Sequence, residues 1–133
     1  MKIIIQNLLF NRQICLGDIM MSKRTEWTSI NNETRKEVLE RDGNKCLVCG
    51  SRNFLTLAHI FVNRSHGGRG CKENLVCLCA RHHEILDNYI GEREKELSEK
   101  ISAYCKNYLI KKEGINYNKE FLNNLIFSKS PTK

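Results

Sequence analysis

The sequence predicts a small α+β protein built around two short strands and the helix that follows them. Residues 54–62 (FLTLAHIFV) and 74–79 (NLVCLC) are apolar and rich in strand-forming residues, and the polar, Gly-rich residues 63–73 separate them. Residues 80–90 (ARHHEILDNYI) follow with the composition of a helix. The stretch from residue 46 to 88 has only 43 residues, and so small a unit usually needs a metal, disulfides or flanking elements to fold. We therefore expect a small metal-stabilised core that is flanked by helices.

A helix is predicted on the N-terminal side of this core. Residues 29–42 (SINNETRKEVLERD) have helical composition, and either Asn31 or Ser29 is suited to cap the first turn. We expect this helix to brace the core from behind, with basic side chains such as Arg41 on its exterior. Trp27, just before it, is expected to pack rather than to bind a ligand.

A long amphipathic helix is predicted on the C-terminal side. From Gly91 onward, apolar residues recur at three- and four-residue spacing, and Gly114 is expected to end the helix. A further short helix is expected over residues 119–127, and the last residues are expected to fray.

The chain is therefore divided into a poorly defined N-terminal extension over 1–22, a central domain over 23–90 and a helical extension over 91–133. The net charge of +7 is unevenly spread, since residues 23–83 carry 11 basic and 6 acidic residues (11 − 6 = +5). A basic surface favours polyanions, nucleic acid above all, although solubility alone is the simpler explanation.

The beginning of the chain does not have the features of a membrane span or of a secretory signal. Its apolar run is interrupted by polar residues and is shorter than the ~20 apolar residues that a span requires. Residues 1–22 are expected either to form a short element or to be a leader before a start at Met20 or Met21. Without an export signal, the seven cysteines are better explained as metal ligands or thiols in a reducing cytoplasm than as disulfides. No membrane partner is expected.

Two residue pairs with the same two-residue gap predict a closed, structural zinc site. Zinc prefers four Cys or His ligands in a tetrahedron, and the 29 residues between the pairs are enough for a hairpin to bring them together. The predicted ligands are Cys46, Cys49, Cys79 and His82. Cys77 should face the opposite side of its strand and belong to the core, and Cys71 is expected to be a loop thiol. Buried thiols without a metal are the alternative.

Four other polar residues could carry chemistry beside this site. His83 projects about 100° away from His82 on the helix, and Asp87 shares its face at i+4, so the two can hold one divalent cation. His59 lies in the first strand, where a neutral imidazole suits a general base. The simpler alternatives are a core histidine at 59, a turn residue at Asn74 and an exposed carboxylate at Asp87.

The ordered set His59, Asn74 and His83, within the frame of two ligand pairs, resembles the HNH endonuclease family. The resemblance covers about residues 41–88 and includes the sequence segments LAHI, HGGRGCKENLVCLC and HHEILDN. It implies a ββα-metal fold that hydrolyses DNA phosphodiester bonds with a catalytic Mg²⁺ or Mn²⁺. By this resemblance His59 would be the general base, and Asn74 would tie the hairpin and orient that base. His83 would bind the cation, with Asp87 or the weaker candidate Asn88 as a further ligand.

One departure from the family concerns the residue before the proposed base. The family often has a metal-binding Asp, His or Glu there, but this chain has Ala58, which cannot bind a metal. The resemblance then implies a cation held by His83, Asp87 and water, or held more weakly than usual. A catalytically impaired, zinc-stapled DNA-binding module is therefore the alternative function, and a zinc-scaffolded protein-interaction domain is a third.

The loop between the strands is expected to hold DNA. Its basic side chains can contact phosphates flanking the cut, which positions DNA without reading its sequence. These residues are Arg64, Arg69 and Lys72; an ordinary solvated loop is the alternative. Gly67, Gly68 and Gly70 are expected to let the backbone come close to the nucleic acid.

Overall fold

A computed structural model describes residues 22–128, and over these residues the fold is α+β, as predicted. Five α-helices surround one two-stranded antiparallel sheet, and one-turn 3₁₀ helices lie at Arg64–His66 and Lys72–Asn74. The elements in chain order are α1 (Lys23–Thr28), α2 (Asn32–Arg41), β1 (Leu55–His59), β2 (Leu75–Cys79), α3 (Ala80–Asn88), α4 (Gly91–Glu113) and α5 (Lys119–Leu125). Residues 1–21 of the extension predicted over 1–22, and the tail after Ser128, lie outside the described residues.

Helix α2 begins at a cap that the sequence predicts. The side chain of Asn31 accepts a hydrogen bond from the backbone N–H of Thr34 at 2.7 Å, which satisfies one of the free donors of the first turn. The short helix α1 was not predicted. Its six residues are too few to show an apolar period, and only the Ser22 side chain, which accepts from the Thr25 N–H, marks its start.

The hairpin is shorter on its first strand than predicted. Strand β1 pairs with β2 in a register that sets Leu57 opposite Cys77, and it stops at His59 rather than continuing to residue 62. It stops because the N–H groups of Phe61 and Val62 donate to the side chain of Asn74 instead of to a neighbouring strand.

Both faces of the hairpin are covered by helices. On one face, Val38 of α2 packs with Leu57, Leu75 and Cys77, so that Cys77 is a core residue, as predicted. On the opposite face, apolar residues of the hairpin pack with apolar residues of α3 and α4. The hairpin contributes Ala58, Val76 and Leu78, α3 contributes Ile85, and α4 contributes Ile101, Cys105 and Leu109. A two-stranded sheet is not stable alone, and this double cover supplies its core.

The C-terminal helices close the fold onto its N-terminal part. Gly114 adopts φ 64°, and its N–H donates to the carbonyl of Ile110, which ends α4 at the predicted position. The indole N–H of Trp27 donates to the carbonyl of Leu125 at 3.0 Å, and its ring lies near that of Phe127. Trp27 therefore packs, as predicted.

The prediction for Arg41 was wrong, because its side chain is buried rather than exterior. Only 10% of the side chain is exposed, and it forms ion pairs with Asp42 and Glu113. It also donates to the backbone carbonyls of Lys72 and Leu75. Arg41 thus joins the end of α2 to β2 and to the end of α4.

Candidate functional site

The two predicted ligand pairs come together in one cluster. The Sγ atoms of Cys49 and Cys79 are 3.8 Å apart, and His82 Nδ1 lies 3.7 Å from Cys46 Sγ and 3.3 Å from Cys79 Sγ. All four potential ligand atoms lie within 4.8 Å of one another. Zn–S bonds of about 2.3 Å and Zn–N bonds of about 2.0 Å in a tetrahedron require S–S edges of about 3.8 Å and S–N edges of about 3.5 Å. The cluster can therefore hold a metal ion such as zinc.

Local hydrogen bonds fix the turn that carries the first pair. The N–H of Gly50 donates to the carbonyl of Cys46 at 2.9 Å, and the N–H of Cys46 donates to the carbonyl of Ser51 at 2.8 Å. Gly50 adopts φ 77°, a left-handed conformation that glycine adopts without steric cost. The second pair needs no such turn, since Cys79 ends β2 and His82 lies in the first turn of α3.

The environment of the cluster favours the metal-ligand forms of Cys46 and His82. A backbone hydrogen bond from Ser51 lowers the pKa of Cys49, but burial and the neighbouring side chains of Cys46 and Cys79 outweigh it and raise that pKa. Burial opposes ionisation of Cys46, but backbone N–H groups, first that of Cys79, outweigh it and lower the pKa of this thiol. Burial, together with the charge of Arg81, lowers the pKa of His82, which leaves a neutral ring able to bind a metal. By contrast, burial raises the pKa of Cys71 to about 11, so that this loop residue remains a thiol, as predicted.

His83 and Asp87 form a second pair on the exposed side of α3. His83 Nε2 lies 3.1 Å from Asp87 Oδ2, at the predicted i+4 spacing. The Thr56 hydroxyl donates its one hydrogen to the carbonyl of Leu78 at 2.8 Å and therefore accepts from His83 Nδ1–H at 2.7 Å. This hydrogen bond fixes the ring of His83 so that its Nε2 faces Asp87 Oδ2.

The spacing of this pair fits adjacent positions of an octahedral cation site. Ligands about 2.1 Å from Mg²⁺ at right angles are separated by about 3.0 Å, which matches the separation of His83 Nε2 and Asp87 Oδ2. Asp87 Oδ1 is left with one long hydrogen bond, from Asn63 Nδ2 at 3.5 Å. Two protein ligands leave room for water and a phosphate, which is typical of magnesium sites.

The position before His59 adds no ligand. Ala58 is completely buried against the α3 and α4 side of the hairpin, opposite Val76. A larger acidic or imidazole side chain could not be placed there without disturbing that core.

His59 ends β1 with one ring nitrogen occupied. His59 Nε2 lies 3.2 Å from the carbonyl of Thr28, to which it donates, so Nδ1 is the unprotonated nitrogen of the neutral ring. Burial lowers the pKa of His59, and the charges of Arg64 and His83 lower it further. The hydrogen bond to Thr28 and the charge of Asp87 act in the opposite direction without reversing the shift. His59 is therefore neutral at neutral pH.

One groove brings His59 and Asp87 to the same space. Its volume is about 480 Å³, and His59, Asn63 and Asp87 line it together with residues of α4 such as Ser98 and Lys106. A smaller adjoining cleft of about 240 Å³ is lined by Thr56, His83, Asp87 and Asn88, among others. Asp87 lines both spaces, so His59 and His83 lie on either side of its carboxylate.

Asn74 is completely buried and all of its side-chain groups are hydrogen-bonded. Its Oδ1 accepts from the N–H groups of Phe61 and Val62, and its Nδ2 donates to the carbonyls of Val62 and Arg69. The backbone carbonyl of Asn74 also accepts from the N–H of Ile60, the residue after His59. Asn74 thus holds the loop between the strands in place beside His59.

The three basic loop residues lie in different surroundings. Arg64 is close enough to His59 to affect its pKa, and it is exposed. Arg69 places its guanidinium 4.8 Å from the centre of the Trp27 ring. Lys72 lies 3.9 Å from Glu113 and is part of the Arg41 network rather than of the groove.

The loop glycines serve the protein's own packing. A Cβ atom on Gly68 would collide with the carbonyl of Val62, and one on Gly70 would collide with the carbonyl of Ser29. These positions require glycine because another part of the chain lies against them. The interpretation from the sequence was instead that these glycines let the backbone come close to nucleic acid.

Two residues that position this site were not predicted. Thr28 orients His59 from helix α1, and Thr56 orients His83 from β1. The only signal for Thr56 is a polar residue within an apolar strand, two positions before Ala58 and therefore on the same face. Nothing in the sequence links Thr28 to His59.

Within residues 22–128, no helix is both apolar enough and long enough to cross a membrane. No protein-family model matches the chain, and no curated protein or solved structure is significantly similar to it.

Proposed function

We propose that this protein is a metal-dependent DNA endonuclease of the HNH type, with a structural zinc ion in the cluster of Cys46, Cys49, Cys79 and His82. One observation carries the proposal: a neutral histidine with a free nitrogen, His59, lines the same groove as a carboxylate that is paired with a second, oriented histidine. A zinc-binding scaffold alone would not require either histidine to be oriented in this way.

In this proposal His59 activates the attacking water. The Thr28 carbonyl holds the proton on Nε2, so Nδ1 accepts a proton from water as its oxygen attacks the phosphorus atom. The bond between phosphorus and the 3′-oxygen breaks, and the leaving oxygen takes a proton from solvent. The low pKa of His59 keeps the base unprotonated before the reaction.

The pair on α3 would hold the divalent cation. His83 Nε2 and Asp87 Oδ2 are the two ligands, and Thr56 fixes the ring of His83. When bound, Mg²⁺ or Mn²⁺ would supply the positive charge that stabilises the transition state and the leaving oxygen.

The basic surface beside His59 supports DNA as the substrate. Arg64 is exposed and lies near His59, where its charge would attract a phosphate of the strand that is cut. Arg69 is exposed in the same loop and can contact a flanking phosphate, whereas Lys72 is partly engaged by Glu113.

The test is cleavage of supercoiled plasmid with and without Mg²⁺ or Mn²⁺, using the wild type, His59→Ala and His66→Ala. His66 is an exposed histidine of the same loop with no role in the proposal, so it is the matched control. The expected result is nicking by the wild type and by His66→Ala but not by His59→Ala, with equal zinc content in all three. Equal nicking by His59→Ala would contradict the role of His59 as the base.

A DNA-binding module without cleavage is the second candidate, and Ala58 is the observation that favours it. With no ligand before His59, the cation would depend on two protein ligands only. If the zinc-loaded wild type binds DNA but cuts it with neither cation, this second function replaces the first.

A further inference from the structure

Phe54 is an exposed aromatic residue in a backbone conformation that side chains rarely adopt. Its φ is 56°, in the left-handed region, and 84% of the residue is exposed. A bulky residue with positive φ is a genuine outlier, and such strain costs free energy. Burial of the ring would offset that cost, but the ring of Phe54 is not buried.

Backbone hydrogen bonds attach the turn that carries Phe54 to the two segments that hold the metal cluster. The carbonyl of Phe54 accepts from the N–H of Ala80, the residue after the ligand Cys79, at 2.8 Å. On the other side, Ser51 is bonded through its carbonyl to the N–H of the ligand Cys46. The turn is therefore attached to both halves of the cluster, which presents the ring of Phe54 on a rigid support.

This support lies next to the proposed cation pair. Thr56, two residues after Phe54, hydrogen-bonds to His83 at 2.7 Å. With a rise of about 3.3 Å per strand residue, the Cα atoms of Phe54 and Thr56 are about 7 Å apart.

The charge around Phe54 suits a polyanion. The basic residues of the hairpin loop, Arg64, Arg69 and Lys72, lie at the other end of the hairpin, so the positive charge beside Phe54 comes from two arginines. Arg52, on the same turn, donates to the carbonyls of Gly43 and Asn44 and remains exposed, and Arg81 is exposed next to Ala80. An exposed apolar side chain beside two arginines has the composition of the wedges that proteins insert between base pairs.

We infer that Phe54 inserts between neighbouring base pairs of duplex DNA and kinks the duplex beside the phosphate that is cut. The inference rests on the proposed function, because it takes DNA as the substrate. It adds a source of selectivity: flexible pyrimidine–purine steps are easier to unstack, so the protein should prefer to cut close to such a step. No base-specific hydrogen bond is needed for this preference.

The test uses duplexes that carry 2-aminopurine, whose fluorescence rises when a base is unstacked, at successive positions around a pyrimidine–purine step. All proteins carry His59→Ala so that the DNA stays intact, and binding is followed separately by fluorescence anisotropy. The expected result is a several-fold rise in 2-aminopurine fluorescence at one step, which is lost with Phe54→Ala and kept with Ile90→Ala. Ile90 is the matched control, because it is 81% exposed and precedes α4, beyond the end of α3 that lies away from Phe54.

A second variant separates this role from a structural one. Phe54→Gly removes the ring and also removes the strain at positive φ, so it should unfold in urea at the same or a higher concentration while losing the fluorescence rise. Lower stability of Phe54→Gly would make the ring a structural element and overturn the inference. Bound DNA with an unchanged signal in Phe54→Ala would overturn it as well. If the parent protein binds no duplex at all, the proposed function fails and the inference fails with it.

Discussion

Replacing Asn74 with alanine should destabilise the protein more than any single loop substitution at the surface. The side chain is completely buried and forms four hydrogen bonds, to the N–H groups of Phe61 and Val62 and to the carbonyls of Val62 and Arg69. Alanine removes all four and leaves their backbone partners without a bond in a buried place.

The magnitude follows from these bonds. A hydrogen bond contributes about 1 kcal/mol net, so four bonds give a loss of about 4 kcal/mol in the free energy of unfolding. Water that enters the vacated space would reduce this loss, whereas partners that remain unsatisfied would increase it. Small domains have a total stability of only about 5–15 kcal/mol, so the variant should be close to unfolding.

The assay is urea unfolding at a fixed excess of zinc, so that metal binding contributes equally to each variant. Asn124→Ala is the matched control, because Asn124 is exposed on α5 and should change the stability by less than about 0.5 kcal/mol. A loss below about 1 kcal/mol for Asn74→Ala would refute the argument that these bonds hold the loop.

Four further predictions concern the two proposed metal sites and the base. Thr56→Val removes the acceptor that orients His83 and should raise the Mg²⁺ concentration needed for cleavage by about 10- to 100-fold. Thr56→Ser keeps the hydroxyl and should leave that concentration unchanged. Equal Mg²⁺ requirements of the two variants would contradict this role of Thr56. Because burial lowers the pKa of His59, the acid limb of a kcat/KM profile should lie below pH 6.5, and a limb above that value would contradict the assignment. The same shift should make the free energy of unfolding fall as the pH drops below 6.5, since the unfolded chain takes up the proton first; His59→Gln should reduce this dependence in urea titrations. Cys79→Ser should lose zinc in elemental analysis and Cys71→Ser should keep it, and equal zinc content would rule out the assigned ligand set.

The metal cluster could be predicted from the sequence because its ligands obey local rules. Cys46 and Cys49 are close through a single turn, and Cys79 and His82 are close through the first turn of a helix. The hairpin between the pairs then has only to close, and strand composition predicts that it does. The i+4 spacing of His83 and Asp87 is local in the same way, and their contact follows from the pitch of the helix.

The environment of Arg41 could not be predicted from its own helix. Local sequence places a basic side chain on an exposed helix face, which is the usual outcome. The structure instead buries Arg41 against Glu113, a residue 72 positions away, and against two backbone carbonyls of the second half of the hairpin. Such a contact depends on how the helices pack, which no local spacing records.

The sequence by itself predicted the α+β class, the cluster that can hold a metal, the cap of α2 and the end of α4, because each is built from turns, caps, residue pairs or elements that are local in the chain. Only the tertiary structure decided which nitrogen of His59 is free, since the carbonyl of Thr28 that fixes it lies 31 residues away. It likewise decided that Thr56 orients His83 and that Phe54 is exposed in a left-handed conformation. These features arise from hydrogen bonds between distant segments, whose geometry exists only after the hairpin and helices have packed.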